Sequence, residues 1–285
     1  MPLIALGLIL TSAIMHASWN LFVKQAQHKL IFTCSALIIG SLCLLPFFIT
    51  TSPLPLRIWP YLISSAFMEA LYMIALTWAY DSDDFSLTYP LARGTAPVLL
   101  VIWATLFLGE APRPGGLLGL ALLVLGLIVV GSGTIWSRLK GLNFSAKGII
   151  AALATALCIS IYTTIDGAAV RIAPPASYGI LLLGLSGLFS APVALMRYGT
   201  HVVRSEWRIH WLRIILIGIL MIGTYVLVLQ AYALSRISYA GAIREVSIVF
   251  AAIAGWLWLG ERFGLPRTIG AILIFSGILT IAIIG

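Results

Sequence analysis

Long apolar runs separated by short polar gaps fill this chain, and the runs have the length of a bilayer crossing. Ten can be counted, at residues 2–23, 30–49, 58–80, 85–109, 115–135, 148–170, 176–196, 214–235, 237–260 and 264–285. At about 1.5 Å of helical rise per residue, runs of this length cover a hydrocarbon core of roughly 30 Å. Apart from 136–147 and 197–213 the gaps are only a few residues long, which leaves no room for a soluble domain. The pattern predicts an all-α integral membrane protein of ten transmembrane helices.

The pattern repeats. Residues 93–126 laid without gaps on 244–277 give ten identities in 34 positions, among them Arg93/Arg244 and the Gly-Glu pairs at 109–110 and 260–261. Apolar bias yields some of these matches by chance, but not readily the arginines and the Gly-Glu pairs. Five spans per half is an odd number, so the second half must enter the membrane from the opposite side. The prediction is two inverted five-helix repeats, 1–135 and 148–285, around a connecting loop at 136–147 that holds Arg138, Lys140, Gly141 and Asn143. In secondary transporters of this plan the binding site lies near the midplane, where the halves meet.

Composition narrows the class. Of 285 residues 61% are hydrophobic and 9% charged, against roughly 25% charged in soluble domains, so the solvent for this surface is lipid. The net charge of +8 comes from 17 Lys and Arg spread mainly through the gaps. It therefore reads as topology signals and not as a nucleic-acid-binding face. Eleven of these residues follow odd-numbered spans and four follow even-numbered ones, which places both termini outside by the positive-inside rule. Three cysteines, Cys34, Cys43 and Cys158, lie in apolar runs without CxxC spacing and imply neither a disulfide framework nor a metal site. Nor does the N-terminus read as a cleaved signal, since it lacks a positive n-region.

Polar residues inside the spans mark the candidate site. Ser12, His16 and Asn20 fall at i, i+4, i+8 in the first span, and Cys158, Tyr162 and Asp166 do the same in the sixth, so each trio shares one helix face. In the third span Glu69, Tyr72, Met73, Leu76 and Tyr80 share a face; in the eighth, Tyr225 and Tyr232 do. Five ionisable residues lie within spans: Glu69, Arg93, Asp166, Arg244 and Glu245. An arginine inside a span costs at least roughly 2.5 kcal/mol, and intramembrane charges are functional-site candidates by default; the plainer alternative is that they pair across helices and hold the bundle in register. Glu69 lies near mid-span, where a neighbouring Arg93 would keep it ionised and the lack of such a partner would let it exchange protons. Asp166 is expected near a helix end, within reach of water. Adjacent residues point about 100° apart on a helix, so only one of Arg244 and Glu245 is expected to aim into the cavity. Arg93 and Arg244 are expected on opposite cavity walls, and where Glu69 has its counterpart before Arg244 the chain carries apolar Leu220 and Met221.

Other signals fit structure better than chemistry. Gly115 and Gly119 form GxxxG, and Gly119–Gly126 and Gly270–Gly277 share a spacing of seven, a small-residue stripe for helix packing or for a homodimer. Glu110 and Glu261, each behind a glycine at a span end, read as interface anchors or folding signals, and Tyr80 and Tyr89 as aromatic-belt residues. Gly184-Leu185-Ser186-Gly187 matches the GxSG of rhomboid-like proteases, the one foothold for an intramembrane hydrolase using Ser186; such a serine needs a membrane-buried histidine as base. HExxH and Walker motifs are absent, so zinc proteolysis and ATP coupling by this chain are not expected, nor is a cofactor.

Several stretches carry a family likeness: His16 to Lys24 (HASWNLFVK), 89–94 (YPLARG), the Leu-Gly-Glu triplets at 108–110 and 259–261, and 162–167 (YTTIDG). With these the chain resembles EamA-type carriers of the drug/metabolite transporter superfamily over essentially its whole length. The resemblance implies a metabolite exporter or exchanger whose cavity is lined by the first, third and fourth helices of each half. The reading is thus a secondary-active transporter of a small polar metabolite, such as an amino acid or organic anion, in a bacterial inner (plasma) membrane, with proton coupling as one option. A channel-like pore is the alternative; it would need a continuous polar path or a ring of ligands, and the chain offers isolated charges at differing depths.

Overall fold

The computed structural model of the chain describes residues 1–50, 54–81, 85–136, 146–259 and 264–285, and side chains over most of these. The connecting residues 137–145, Glu261, and the side chains of Leu76, Tyr80 and Tyr89 lie outside the described residues. Apolar sequence of bilayer length folds as helix because lipid offers its backbone groups no other partners: α1 (Leu3–Gln25), α2 (Lys29–Leu44), α3 (Trp59–Asp81), α4 (Phe85–Leu108), α5 (Pro114–Trp136), α6 (Ala146–Ala169), α7 (Pro175–Leu234), α8 (Ile237–Arg244), α9 (Ser247–Leu259) and α10 (Leu265–Ile284). Among the described residues no strand occurs, and seven helices are long and apolar enough to cross a membrane. Many large apolar side chains remain exposed, among them Leu106, Phe107, Met196 and Ile283. Lipid must cover them, because water would make such a surface aggregate.

Three stretches differ from the sequence reading. The second span turns into a 3-10 helix at Leu45–Thr50, where Pro46 cannot donate to an α-helical bond. The gap at 197–213 is helical, and α7 runs on through it for 60 residues with non-helical dihedrals only at Gly199 (φ 76°, ψ 162°) and His210 (φ −118°, ψ 17°). Glycine at positive φ supplies one sharp bend without a Cβ clash, and the two breaks separate the legs expected as the seventh and eighth spans. The ninth span is interrupted: α8 ends at Arg244, and Glu245 and Val246 make i→i+3 bonds to Ala242 and Ile243 before α9 begins. Such a tightened turn inside a helix is a recurrent hinge signature.

The halves pack as a pseudo-twofold pair. α5 lies against α10, and their glycines meet in reciprocal fashion: a Cβ on Gly119 would fall 2.8 Å from the Gly277 carbonyl oxygen, and one on Gly126 2.7 Å from that of Gly270. The early glycine of each helix faces the late one of the other, so the equivalent helices run antiparallel, as inverted halves require. These glycines are used within one chain, with α10 occupying the face that a homodimer would have used. The remaining contacts repeat the symmetry: α4 on α6 matches α1 on α8 and α9, and α3 on α6 matches α1 on α7.

Candidate functional site

Arg93, in the third turn of α4, and Glu245, at the break between α8 and α9, come from different halves. Arg93 Nη1 donates to Glu245 Oε2 at 2.7 Å, and both side chains are buried. Arg244 Nη2 stands 3.7 Å from the other oxygen of the same carboxylate. The two repeat-equivalent arginines therefore flank one acid instead of forming opposite walls, and Arg93, which the sequence left open as a partner for Glu69, pairs closely with Glu245. The reason is local: the turn at Glu245 swings its carboxylate toward α4, while Arg244 remains on α8.

A second knot lies on α6. Asp166 is fully buried and accepts hydrogen bonds from Ser65 of α3, Tyr178 in the first leg of α7 and Tyr225 in the second. Water does not reach it, contrary to the expectation from its place near the end of its span, because α3 and both legs of α7 close over that end of α6. One turn beyond Ser65, Glu69 points the same way. Its Oε2 is buried without a hydrogen-bond partner, and it lies within electrostatic range of Asp166 and Arg244. Two neighbouring carboxyls thus have opposite surroundings, one satisfied by three hydroxyls and the other left open.

Aromatic residues close the cluster. The rings of Tyr72 and Tyr162 are 6.1 Å apart, and Tyr162, Tyr225 and Tyr232 lie within electrostatic range of Arg244. His16 stacks edge-on against Trp19 at 4.5 Å, within range of Arg93 and Arg244. Of the α1 stripe, Ser12 donates to the Ile9 carbonyl and the Asn20 amide to that of His16, so both spend a donor on their own helix. Cys158 is half-buried and keeps a thiol. Among the described residues Arg244 makes no hydrogen bond, although it is only 8% exposed. A buried guanidinium with five donors and one long ion pair can take an anionic or carbonyl group of a ligand.

Sequence reasoning missed Ser65 and Tyr178. The first was visible at i−4 from Glu69 on the same face; Tyr178 carried no signal, having no polar partner at helical spacing. Ser186 is spent on packing, donating to Leu183 O at 2.9 Å. A groove of about 530 Å³ between α9 and α10, lined by Val249, Ile253, Thr268, Ala271, Phe275 and Ser276, contains none of the buried charges.

Glu110 plays a role at the rim. Its oxygens accept from Ile237 N (2.7 Å), Ser238 N (3.1 Å) and Ser238 Oγ (2.6 Å), with Arg171 Nη2 at 3.6 Å. The first half thus caps the start of α8 in the second, where free N–H groups and the helix dipole favour a carboxylate.

No curated protein matches the chain in sequence. Among solved structures, one crystal structure superposes with a TM-score of 0.74 over 99% of both chains at 18% identity, which shows a shared fold. A family model matches residues 3–132 and again 146–283, one copy per repeat. With buried charges gathered where the two repeats meet, the chain is a multi-pass membrane transporter and belongs to the EamA-like transporter family of the drug/metabolite transporter superfamily.

Proposed function

We propose that this transporter is a secondary-active carrier that exports or exchanges a small polar metabolite, such as an amino acid or an organic anion, by alternating access in a bacterial inner (plasma) membrane. One observation carries the reading: Arg244, only 8% exposed, has one long ion pair, at 3.7 Å to Glu245, and lies within electrostatic range of Glu69, whose Oε2 is buried without a hydrogen-bond partner. Leaving both polar groups open at bilayer depth is costly, and a ligand carrying an anionic group for Arg244 would relieve that cost. Glu69 would take the ligand's cationic or donor group, or a proton in its place. Arg93 and Glu245 tie the halves together around that position, and the tightened turn at Glu245 gives α8 and α9 a place to bend.

The test is transport by purified protein in liposomes. A carrier shows saturable uptake and counterflow, whereas a conducting pore shows no counterflow. A screen of metabolite classes by thermal stability finds the ligand first, since binding to the folded state raises its apparent stability. Glu69→Gln and Arg244→Gln are expected to lower counterflow by roughly 10-fold or more. If both variants insert normally and transport at the parent rate, the site assignment is wrong.

A further inference from the structure

The stretch of α7 from the break at Gly199 to just past the break at His210, residues 200–213, has three distinct faces. Inward, Val203 and Trp207 pack beside the first turns of α2, where Trp207 Nε1 donates to Ser35 Oγ at 2.8 Å, and Glu206 is buried. That places the segment at the membrane edge, since Ser35 lies only two turns into α2. Outward, His201, Arg204 and Arg208 follow one another at helical spacing, Trp211 comes just past the break at His210, and all four are exposed. On a third side Ile209 is 67% and Leu212 51% exposed, leading into exposed Leu216 on the leg that enters the bilayer. Arg204, Arg208 and exposed Arg213 make no ion pair among the described residues, and the only acid of this stretch, Glu206, is turned inward.

The corresponding stretch of the first half, between α2 and α3, holds a single arginine, Arg57. Inverted symmetry therefore does not account for the basic face. We infer that this segment lies in the membrane plane and docks anionic phospholipid headgroups, with Arg204, Arg208 and Arg213 on the phosphates, Ile209 and Leu212 in the acyl region and Trp211 at the boundary. An amphipathic helix with cations on one side and large apolar residues on the other binds such an interface by both terms together. The charge complementarity selects anionic over zwitterionic lipid, by on the order of fivefold for each arginine near the surface.

The experiment uses the full-length protein in nanodiscs of pure phosphatidylcholine or of phosphatidylcholine with one quarter phosphatidylglycerol, read by thermal unfolding and by the lipid retained on detergent extraction. The parent is expected to retain phosphatidylglycerol and phosphatidylcholine in a ratio at least roughly 10-fold above that of the disc, and to unfold at a higher temperature in the presence of phosphatidylglycerol, with both effects shrinking in high salt. Combined Arg204→Gln, Arg208→Gln and Arg213→Gln should abolish both while leaving unfolding in pure phosphatidylcholine unchanged. Replacing the same three residues with lysine should retain most of the preference. Retention of the two lipids by the parent in the proportion of the disc overturns the proposal, as does an unaltered preference in the glutamine variant. So does reproduction of the thermal shift by inorganic phosphate alone.

Discussion

Arg93 in the first half and Glu245 in the second meet at 2.7 Å, and the same carboxylate stands 3.7 Å from Arg244. One acid thus neutralises two arginines that the repeat makes equivalent. In the repeat register Glu245 corresponds to Gly94, so the acid that serves both arginines comes from the second half alone.

That arrangement sets an order of stabilities. Removing one partner of a buried pair costs about 3–5 kcal/mol, because the other charge is stranded. Glu245→Ala takes a shared carboxylate from two guanidiniums, whereas Arg93→Ala leaves a carboxylate that still has Arg244. Thermal unfolding in detergent should therefore rank Glu245→Ala well below Arg93→Ala, with the double variant less damaged than the sum of the two. Equal losses, or full additivity, would contradict a shared carboxylate.

Asp166 offers a separate measurement. Three hydroxyls from three helical segments converge on it, and hydrogen bonds to a charged group are worth about 1.5–3 kcal/mol each. Tyr178→Phe and Tyr225→Phe should each lower stability by about that amount in the parent and by little in an Asp166→Asn background. Calorimetry of the four single and double combinations checks this; the same loss in both backgrounds would mean that the tyrosines stabilise by packing alone.

Sequence periodicity revealed what depends on composition and repeat: the membrane class, the two halves, the small-residue packing stripes of the fifth and tenth spans and most of the buried charged residues. It misjudged what depends on where a helix bends. The turn at Glu245 has no proline or glycine to announce it, and without that turn Arg93 had only Glu69 as a visible partner. The helical stretch after Gly199 read as a loop because its arginines interrupt the apolar pattern, although its inward face, Val203 and Trp207, keeps helical spacing. Partners such as Tyr178 become apparent only once distant helices are brought together.

The glycine contact can be tested against an internal control. A Cβ on Gly119 would meet the Gly277 carbonyl oxygen at 2.8 Å, a clash between two backbones that neither can relieve by turning a side chain, whereas Gly7 has nothing within 4 Å. Gly119→Ala should therefore cost roughly 1–3 kcal/mol by forcing α5 from α10, while Gly7→Ala should be neutral or slightly stabilising. Comparable melting of the two variants would remove the α5–α10 contact from the account of stability.

Glu110 should affect both stability and the distribution of states. Its carboxylate holds the first two N–H groups of α8 and the Ser238 hydroxyl, joining the end of α4 to the start of the second half's broken helix. A cap of this kind is worth about 0.5–2 kcal/mol. If alternating access separates the halves on this side, the cap must open in the other state, so weakening it favours the open form by up to that amount, a change of roughly 2- to 30-fold in population. A reporter is a cysteine at Ile237 in a protein whose Cys34, Cys43 and Cys158 are replaced by serine. That cysteine, buried in this structure, should react slowly with a membrane-impermeant maleimide in the parent and several-fold faster with Glu110→Ala, while Glu110→Gln, which still accepts from one N–H, should fall between. Faster labelling with a matching fall in thermal stability and no change in counterflow would mean local fraying of α8. A shift in the ratio of inward to outward labelling, with the fold intact, identifies Glu110 as the latch of this gate.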